Sequence, residues 1–525
     1  MPKEILLINP PYPSEERNLA PPLGIASVAG YLEENGYRDR IELIDGFQLE
    51  KGYGYRESLE MIKSKIKKDK PFVMGCSVLY TNEREAYDLL RVANEVGSKA
   101  IVGNYMAKEA YESNVGVTAI VRGEGEVTTK ELMDALFHDE DLHGIRGVTF
   151  RKKGKTITNP DRELVNLDRL PPPAFHLLPS IKDYDYLSLE ESRGCCFRCS
   201  FCSITEIYRG YRLKSQERIR SEVERIHGTG IDKIDVIGEL VLLDEERALK
   251  MGDAMREFGC DWKINAHPTL VVKRKRILPL LSNRRLRIIE TAVESGNQRS
   301  LDVYNKQTTP SLNEEAIDSV LAAGILPAID FINFQPYLTM RDLEENIKFI
   351  MRHLQIFSKA PYYPEDNIFK PWIPVPRTPL FEKAKRDKLI RTEDGHDPSF
   401  MKMKYAQYYF AFKDEGVNRV ADLIDHFLKR YGERYHAMLQ PLIDDGSIFT
   451  ESSKVSSLAI MPAFILCMAY ALVKNDVRGR GVIDWYCQQR YDAIDRGDFD
   501  AKLPPMPFYE EQMEKILDVF RDLTS

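Results

Sequence analysis

The first 140 residues alternate between two kinds of segment, and this rhythm narrows the fold more than any other feature of the chain. Short β-rich runs stand at 4–10 (EILLINP), 41–45 (IELID), 72–79 (FVMGCSVL), 99–105 (KAIVGNY) and 118–124 (TAIVRGE). Amphipathic stretches fill the gaps at about 24–35, 55–68, 84–97 and 126–138. Strands joined by helix-length crossovers pair in parallel, and a parallel sheet needs helices on both faces. The expectation for 1–145 is therefore a doubly wound, Rossmann-like α/β domain. Ligands of such sheets bind beyond the carboxyl ends of the strands. Those ends are NPPYP (9–13), SVLYTN (77–82), GNY (103–105) and RGEGE (122–126), rich in the Gly, Pro and small polar residues that a backbone-lined pocket needs. No G-x-G-x-x-G turn follows the first strand, which argues against an ordinary dinucleotide site.

Residues 146–185 break the rhythm with a hairpin-like GVTFRKKGKTITN and then LDRLPPPAFHLLP. Consecutive prolines continue neither a helix nor a central strand, so this reads as a semi-rigid linker. A second βα series follows over 186–385, with strands expected at 186–193, 231–239, 262–268, 286–294, 326–334 and 368–375. Six parallel strands suggest a partial (β/α)6 barrel with its chemistry at the C-terminal mouth. Residues 386–525 read as a mainly helical domain that caps the substrate. Within it, 455–473 (VSSLAIMPAFILCMAYALV) carries no charge. This run is short for a membrane span and contains Pro462, so a buried core helix is expected, with membrane contact as the alternative.

The net charge of −7 argues against non-specific nucleic-acid binding as the main activity. The N-terminus, MPKEILLINPP, carries charge at once and shows no signal peptide, which places the protein in the cytoplasm by expectation. In a reducing compartment, clustered cysteines are metal ligands or catalysts before they are disulfides. Four of the eight cysteines fall in SRGCCFRCSFCSI (192–204), where Cys195, Cys199 and Cys202 are spaced C-x3-C-x2-C. Three thiolates on one short loop can hold three irons of a 4Fe–4S cluster, leaving the fourth iron open. Structural zinc would require a fourth ligand such as His176 or Cys196, and a Cys199–Cys202 redox dithiol would leave Cys195 unexplained.

The spacing C-x3-C-x2-C with Phe201 before the last cysteine, just after the first strand of a βα series, resembles the signature of the radical S-adenosylmethionine (SAM) superfamily. The resemblance implies Cys195, Cys199 and Cys202 as cluster ligands and as the catalytic centre, with Cys196 a bystander and SAM on the open iron. It places Phe201, Arg212 (in YRLKS), Gly238 and Glu239 (in DVIGEL), and Glu294 and Ser295 (in AVESGN) around SAM. Where relatives show a glycine-containing turn after the fifth strand, this chain has INFQPYLT (332–339), so Asn333 and Phe334 suggest substrate-specific shaping.

The first 145 residues resemble the cobalamin-binding domain of cobalamin-dependent radical SAM enzymes. By that resemblance Pro10, Pro11, Leu23, Gly24, Ser77, Tyr80, Thr81, Gly103, Asn104, Gly123, Glu124, Gly125 and Glu126 are cobalamin contacts, with Tyr80 the candidate beneath cobalt. The D-x-H-x-x-G motif is absent. The function implied is a C-methyltransferase that activates an unreactive carbon with a 5′-deoxyadenosyl radical and takes its methyl group from methylcobalamin. The alternatives are a cyclase or rearranging enzyme without net methylation and, more remotely, a non-catalytic iron–sulfur or cobalamin-binding protein. Implied partners are a small-molecule or peptide substrate, with apolar character suggested by KYAQYYFAF (404–412), and an electron donor such as flavodoxin or ferredoxin. A methylthiolating tRNA-modifying relative is disfavoured, because only Cys76 precedes residue 195.

Overall fold

The computed structural model describes residues 3–12, 20–238, 240–359, 368–392, 408–444, 461–477, 479–496, 498, 518–519 and 521–523. The chain divides into two compact units. The first comprises Met1–Cys196, Ser203–Asn265 and Pro279–Arg287; the second comprises Phe197–Cys202, Ala266–Leu278 and Ile288–Ser525.

In the first unit, β1 (Ile5–Asn9), β2 (Ile41–Asp45), β3 (Val73–Ser77), β4 (Lys99–Gly103) and β5 (Val117–Val121) form a parallel sheet in the order β2-β1-β3-β4-β5. Ile5, Leu6, Leu7 and Ile8 are all buried, the continuous apolar run of a parallel strand covered on both faces. The crossovers are the helices Leu23–Leu32, Tyr55–Asp69, Glu83–Glu95 and the short Ala107–Glu112, and Gly125–Phe137 follows β5. This strand order places the topological switch between β1 and β3.

The hairpin expected in the linker instead extends this sheet. Strands β6 (Val148–Lys152) and β7 (Lys155–Thr158) add antiparallel to β5, making seven strands. Pairing covers the hydrogen-bonding edge that β5 would otherwise expose. The proline segment is docked as well: Ala174 N–H donates to the Ala26 carbonyl at 2.8 Å, and Tyr184 Oη donates to the buried Asp45 carboxylate at 3.0 Å. Also in this unit, β8 (Leu187–Glu190) pairs in parallel with β11 (Lys233–Ile237), and β11 with β12 (Asp261–Ala266).

The expected strand 186–193 stops at Glu190. Ser192–Arg193 forms a separate β9, antiparallel to β10 (Arg212–Leu213). Gly194 makes this turn possible: its φ is +85°, and a Cβ there would lie 1.9 Å from the Gly210 carbonyl oxygen.

In the second unit, β13 (Leu286–Glu294) pairs in parallel with β14 (Leu326–Phe331). The sixth expected strand, 368–375, makes only an isolated parallel bridge between Phe334 and Pro371. Pro371, Pro374 and Pro376 lack the N–H groups that a ladder requires, which explains the difference. Helices Met340–Arg352, Glu415–Asp444, Met461–Lys474 and Arg480–Asp495 dominate the remainder. A hairpin of β15 (Ile390–Thr392) and β16 (Tyr408–Phe410) precedes the last three.

The helix Met461–Lys474 buries nearly all its side chains in this unit's core, and Pro462 sits in its first turn, where a missing N–H costs nothing. Among the described residues no helix is long and apolar enough to cross a membrane. Tyr409, Phe410 and Phe412 are likewise core residues; 404–407 and 455–460 lie outside the described residues.

Candidate active site

At the carboxyl ends of β1, β3, β4 and β5 a cavity of about 280 Å³ opens, lined by Leu23, Gly24, Ser77, Gly103, Asn104 and the run Gly123–Glu126. Pro10, Pro11, Tyr80 and Thr81 do not line it. Glycines interrupt a lining that otherwise includes Leu7, Ile25, Val28 and Ile101. A Cβ on Gly24 or Gly123 would meet nothing within 4 Å, and one on Gly103 only the Val121 carbonyl at 3.9 Å. Asn104 adopts a positive φ of 74°, donates to Ser77 Oγ at 3.1 Å, and accepts from the Tyr105 N–H at 2.8 Å. These glycines leave open space beside the chain, so part of a large ligand such as cobalamin could lie close against the backbone there.

Glu190, Arg193 and Tyr208 also line this cavity. Arg193 is 5% exposed. Its guanidinium reaches Glu126 Oε1 at 2.6 Å, Glu190 Oε1 at 2.8 Å and Glu124 Oε2 at 3.2 Å. Ser27 Oγ donates to Glu126 at 2.8 Å. Burial alone would push the Glu126 carboxyl up, but Arg193 outweighs it and holds the group below its usual range.

The family resemblance implies Arg212 as one of the residues around SAM. The structure instead pairs it with Glu124 and the Val165 carbonyl, the latter at 2.8 Å. The carboxylates of Glu124 and Glu126 are thus committed to arginines, which leaves mainly their backbone for a ligand.

The cysteine loop starts two residues after Arg193. None of the eight cysteines is in a disulfide. Cys76, Cys260, Cys467 and Cys487 are buried, and burial pushes their thiols up, Cys260 to about 11 and Cys467 to about 12. Cys195, Cys199 and Cys202 are partly accessible, and Cys196 is exposed. Thiolates, not buried thiols, ligate metal, so the loop carries the available ligands. Among the described residues no group of three or more His, Cys, Asp or Glu side chains is arranged to hold a single metal ion. A four-iron cluster differs in placing each thiolate on its own iron. His176, the proposed zinc partner, faces Glu33 at 3.0 Å.

Residues 303–306 clamp the loop. Ser200 N–H donates to the Tyr304 carbonyl at 2.8 Å, and Ser200 Oγ to the Val303 carbonyl at 2.7 Å. Asn305 Nδ2 donates to the Arg198 carbonyl at 2.7 Å. Phe201 meets Tyr304 edge to face at 5.5 Å, and Phe197 stacks on His267 at 3.9 Å. His267 caps the helix Pro268–Lys273: its Nδ1 accepts from Thr269 N–H, so Nε2–H donates to the Lys306 carbonyl at 2.8 Å. Burial and the Lys306 charge lower its pKa to about 4, so the ring is neutral.

At the end of β13, Glu294 has a positive φ of 65° and is fully buried against Lys306 Nζ at 3.1 Å. A non-glycine residue held there at a strand end is a strained position of the kind found at functional sites. Ser295 Oγ donates to Asn346 Oδ1 at 2.8 Å. The same amide oxygen accepts from Gly296 N–H and Asn297 Nδ2, while Asn346 Nδ2 donates to Asn333 Oδ1 at 3.0 Å. Asn333 and Phe334 are wholly buried, one in this network and one in the core, rather than shaping a substrate pocket.

Gly238 packs against side chains: a Cβ would lie 2.9 Å from Glu191 Oε2 and 3.0 Å from Ser192 Oγ. Glu239 lies outside the described residues.

Residues 190–350 match the family model described as the radical SAM superfamily, and residues 16–133 match the B12 binding domain. The chain is a radical SAM enzyme with a B12-binding domain. Family membership brings a 4Fe–4S cluster, SAM and cobalamin as its cofactors. An uncharacterized methyltransferase of Pyrococcus horikoshii is 27% identical over 406 residues, covering 74% of this chain and 84% of its own length. The anaerobic magnesium-protoporphyrin IX monomethyl ester cyclase of Rubrivivax gelatinosus is 28% identical over 373 residues, covering 66% of this chain and 65% of its own. Among solved structures, the cobalamin-dependent SAM radical enzyme OxsB with aqua-cobalamin and SAM bound superposes with a TM-score of 0.67 at 19% identity, covering 100% of this radical SAM enzyme and 84% of that chain.

Sequence reasoning missed Arg193, Glu190, His267 and Lys306. The conspicuous signal was the pair of glutamates at 190–191 beside Arg193, charged residues inside a strand expected to be buried.

Proposed function

We propose that this radical SAM enzyme is a cobalamin-dependent C-methyltransferase. The observation that carries the reading is one chain holding both a clamped three-cysteine loop and a glycine-lined cradle at the ends of a 2-1-3-4-5 sheet. The match to a methyltransferase over most of both chains supports it. When bound, the cluster with SAM supplies a 5′-deoxyadenosyl radical, and cobalamin supplies the methyl group.

The chain's own residues bind, orient and exclude water. Cys195, Cys199 and Cys202 would hold the cluster, with Cys196 outside the ligand set. Phe201, Glu294 and Ser295 would shape the SAM side. Leu23, Gly24, Ser77, Gly103, Asn104 and Gly123–Glu126 would receive cobalamin. Residues 1–145 would act as the cobalamin domain, with the hairpin at 148–158 completing its sheet and the rest of 146–185 as linker, 186–385 as the radical SAM domain and 386–525 as the substrate cap. Partners would be a small-molecule or peptide substrate and a flavodoxin- or ferredoxin-class electron donor, and the compartment the cytoplasm.

A second reading, ring closure without net methylation, draws support from the similar cyclase. Product analysis separates the two. The reduced, anaerobic enzyme turning over its substrate yields 5′-deoxyadenosine and S-adenosylhomocysteine in comparable amounts if it methylates. It yields 5′-deoxyadenosine alone if it cyclises, and S-adenosylhomocysteine alone would indicate polar methyl transfer and refute the radical step.

A further inference from the structure

Lys306 is 3% exposed, yet it carries a charge next to the cysteine loop. Its Nζ lies 3.1 Å from Glu294 Oε1 and 5.9 Å from the ring centroid of Phe201, which is flanked in sequence by Cys202. Its backbone is fixed at both ends, with N–H to the Leu301 carbonyl at 2.9 Å and C=O from His267 Nε2 at 2.8 Å. The residues just before it, 303–305, make the clamp that holds Arg198 and Ser200 on either side of Cys199. Charge and loop are therefore joined through the single segment 303–306. Burial alone would lower the Lys306 pKa, but Glu294 first and Cys199 second outweigh it, so the ammonium stays protonated.

We propose that Lys306 is the fixed cation that sets the reduction potential of the cluster on this loop, with Glu294 as its counterweight. This rests on the reading of Cys195, Cys199 and Cys202 as cluster ligands. A cluster held there would take one electron from a flavodoxin- or ferredoxin-class donor on reduction and would become one unit more negative, with no bond made or broken. A buried cation stabilises the reduced state and raises the potential, and a buried anion does the reverse; little solvent intervenes to screen either. Lys306 acts through the cluster and is a positioning residue, not a catalytic one. Burial pushes the Glu294 carboxyl up and Lys306 opposes it, so the 3.1 Å pair is what lets charge persist in so buried a place.

The test is a redox titration of the anaerobically reconstituted full chain without SAM, read by the electron paramagnetic resonance of the reduced cluster. Lys306→Met should lower the reduced-to-oxidised ratio at a fixed potential about tenfold, a shift of about 59 mV to more negative values for one electron. Glu294→Gln should shift it in the opposite direction, and Lys306→Arg should stay near wild type. Opposite signs from two partners of one ion pair cannot arise from shared structural damage.

Shifts in the same direction, or none in variants with full iron content, overturn the proposal. If Lys306→Met holds no cluster, the positive shift of Glu294→Gln remains required, and its absence overturns the proposal. A wild-type chain that takes up no cluster overturns both this proposal and the ligand reading beneath it. A wild type with a cluster but unshifted variants overturns this proposal alone.

Discussion

Replacing Arg193 with methionine would remove the cation that Glu124, Glu126 and Glu190 share; Glu124 keeps Arg212 and Glu190 keeps Lys214 at 3.8 Å, so the buried Glu126 is the carboxylate that loses its charged partner. Breaking a buried ion pair from one side costs about 3–5 kcal/mol. At about 2–4 °C per kcal/mol, the scale for domains slightly smaller than this unit, that is a fall of at most roughly 6–20 °C in Tm.

The effect depends on pH, and its sign follows from Glu126. In the wild type its pKa is depressed in the folded state, so its contribution is present above the unfolded value and disappears as pH falls through the folded one. In Arg193→Met the guanidinium that outweighs burial is gone, and burial, opposed only by the Ser27 hydroxyl and a backbone N–H, should raise the folded pKa above the unfolded value. The folded variant then holds extra protons, and its stability declines as pH rises. The gap between wild type and variant should therefore be widest at neutral pH and narrow steadily as pH falls through the unfolded value toward the lower folded one. Thermal melts of the apo chain across that range, paired with an aquacobalamin titration, make the measurement. A variant as stable as wild type at neutral pH, or a gap that widens on acidification, would refute the reasoning.

Three further predictions concern other parts of the chain. Cys199→Ala should abolish 5′-deoxyadenosine formation while Cys196→Ala leaves it, and equal loss in both would overturn the ligand assignment. Gly238→Ala would drive a Cβ within 3.0 Å of Glu191 Oε2 and Ser192 Oγ and should cost about 1–3 kcal/mol, read by denaturation; adding Ser192→Gly should restore part of it. Leu466→Ala, in the uncharged helix, should destabilise by about 2–5 kcal/mol, while the wild type should not co-float with anionic vesicles, a membrane surface predicting the reverse.

The sheet strands and crossovers were legible because apolar periodicity is local, as in Ile5–Asn9 and Glu83–Glu95. The cysteine loop was legible because its ligands lie within eight residues. The edge hairpin was visible as a hairpin, but its attachment to β5 was not, since pairing across a sheet leaves no spacing signal. The failure of 368–375 as a strand was written in its prolines and was passed over. Arg212 misled because its partner, Glu124, is 88 positions away. The Arg193–Glu126 and Lys306–Glu294 pairs likewise join residues from different segments, and charge alone does not name a partner.

The central claim is a three-thiolate cluster with one iron left for SAM. It is tested most directly by the electron paramagnetic resonance spectrum of the reduced, anaerobically reconstituted chain before and after SAM is added. The account predicts about four irons per chain in a [4Fe–4S] signal whose g-values change when SAM binds. A cluster signal that SAM leaves unaltered would mean that a fourth protein ligand closes the site, and would contradict it.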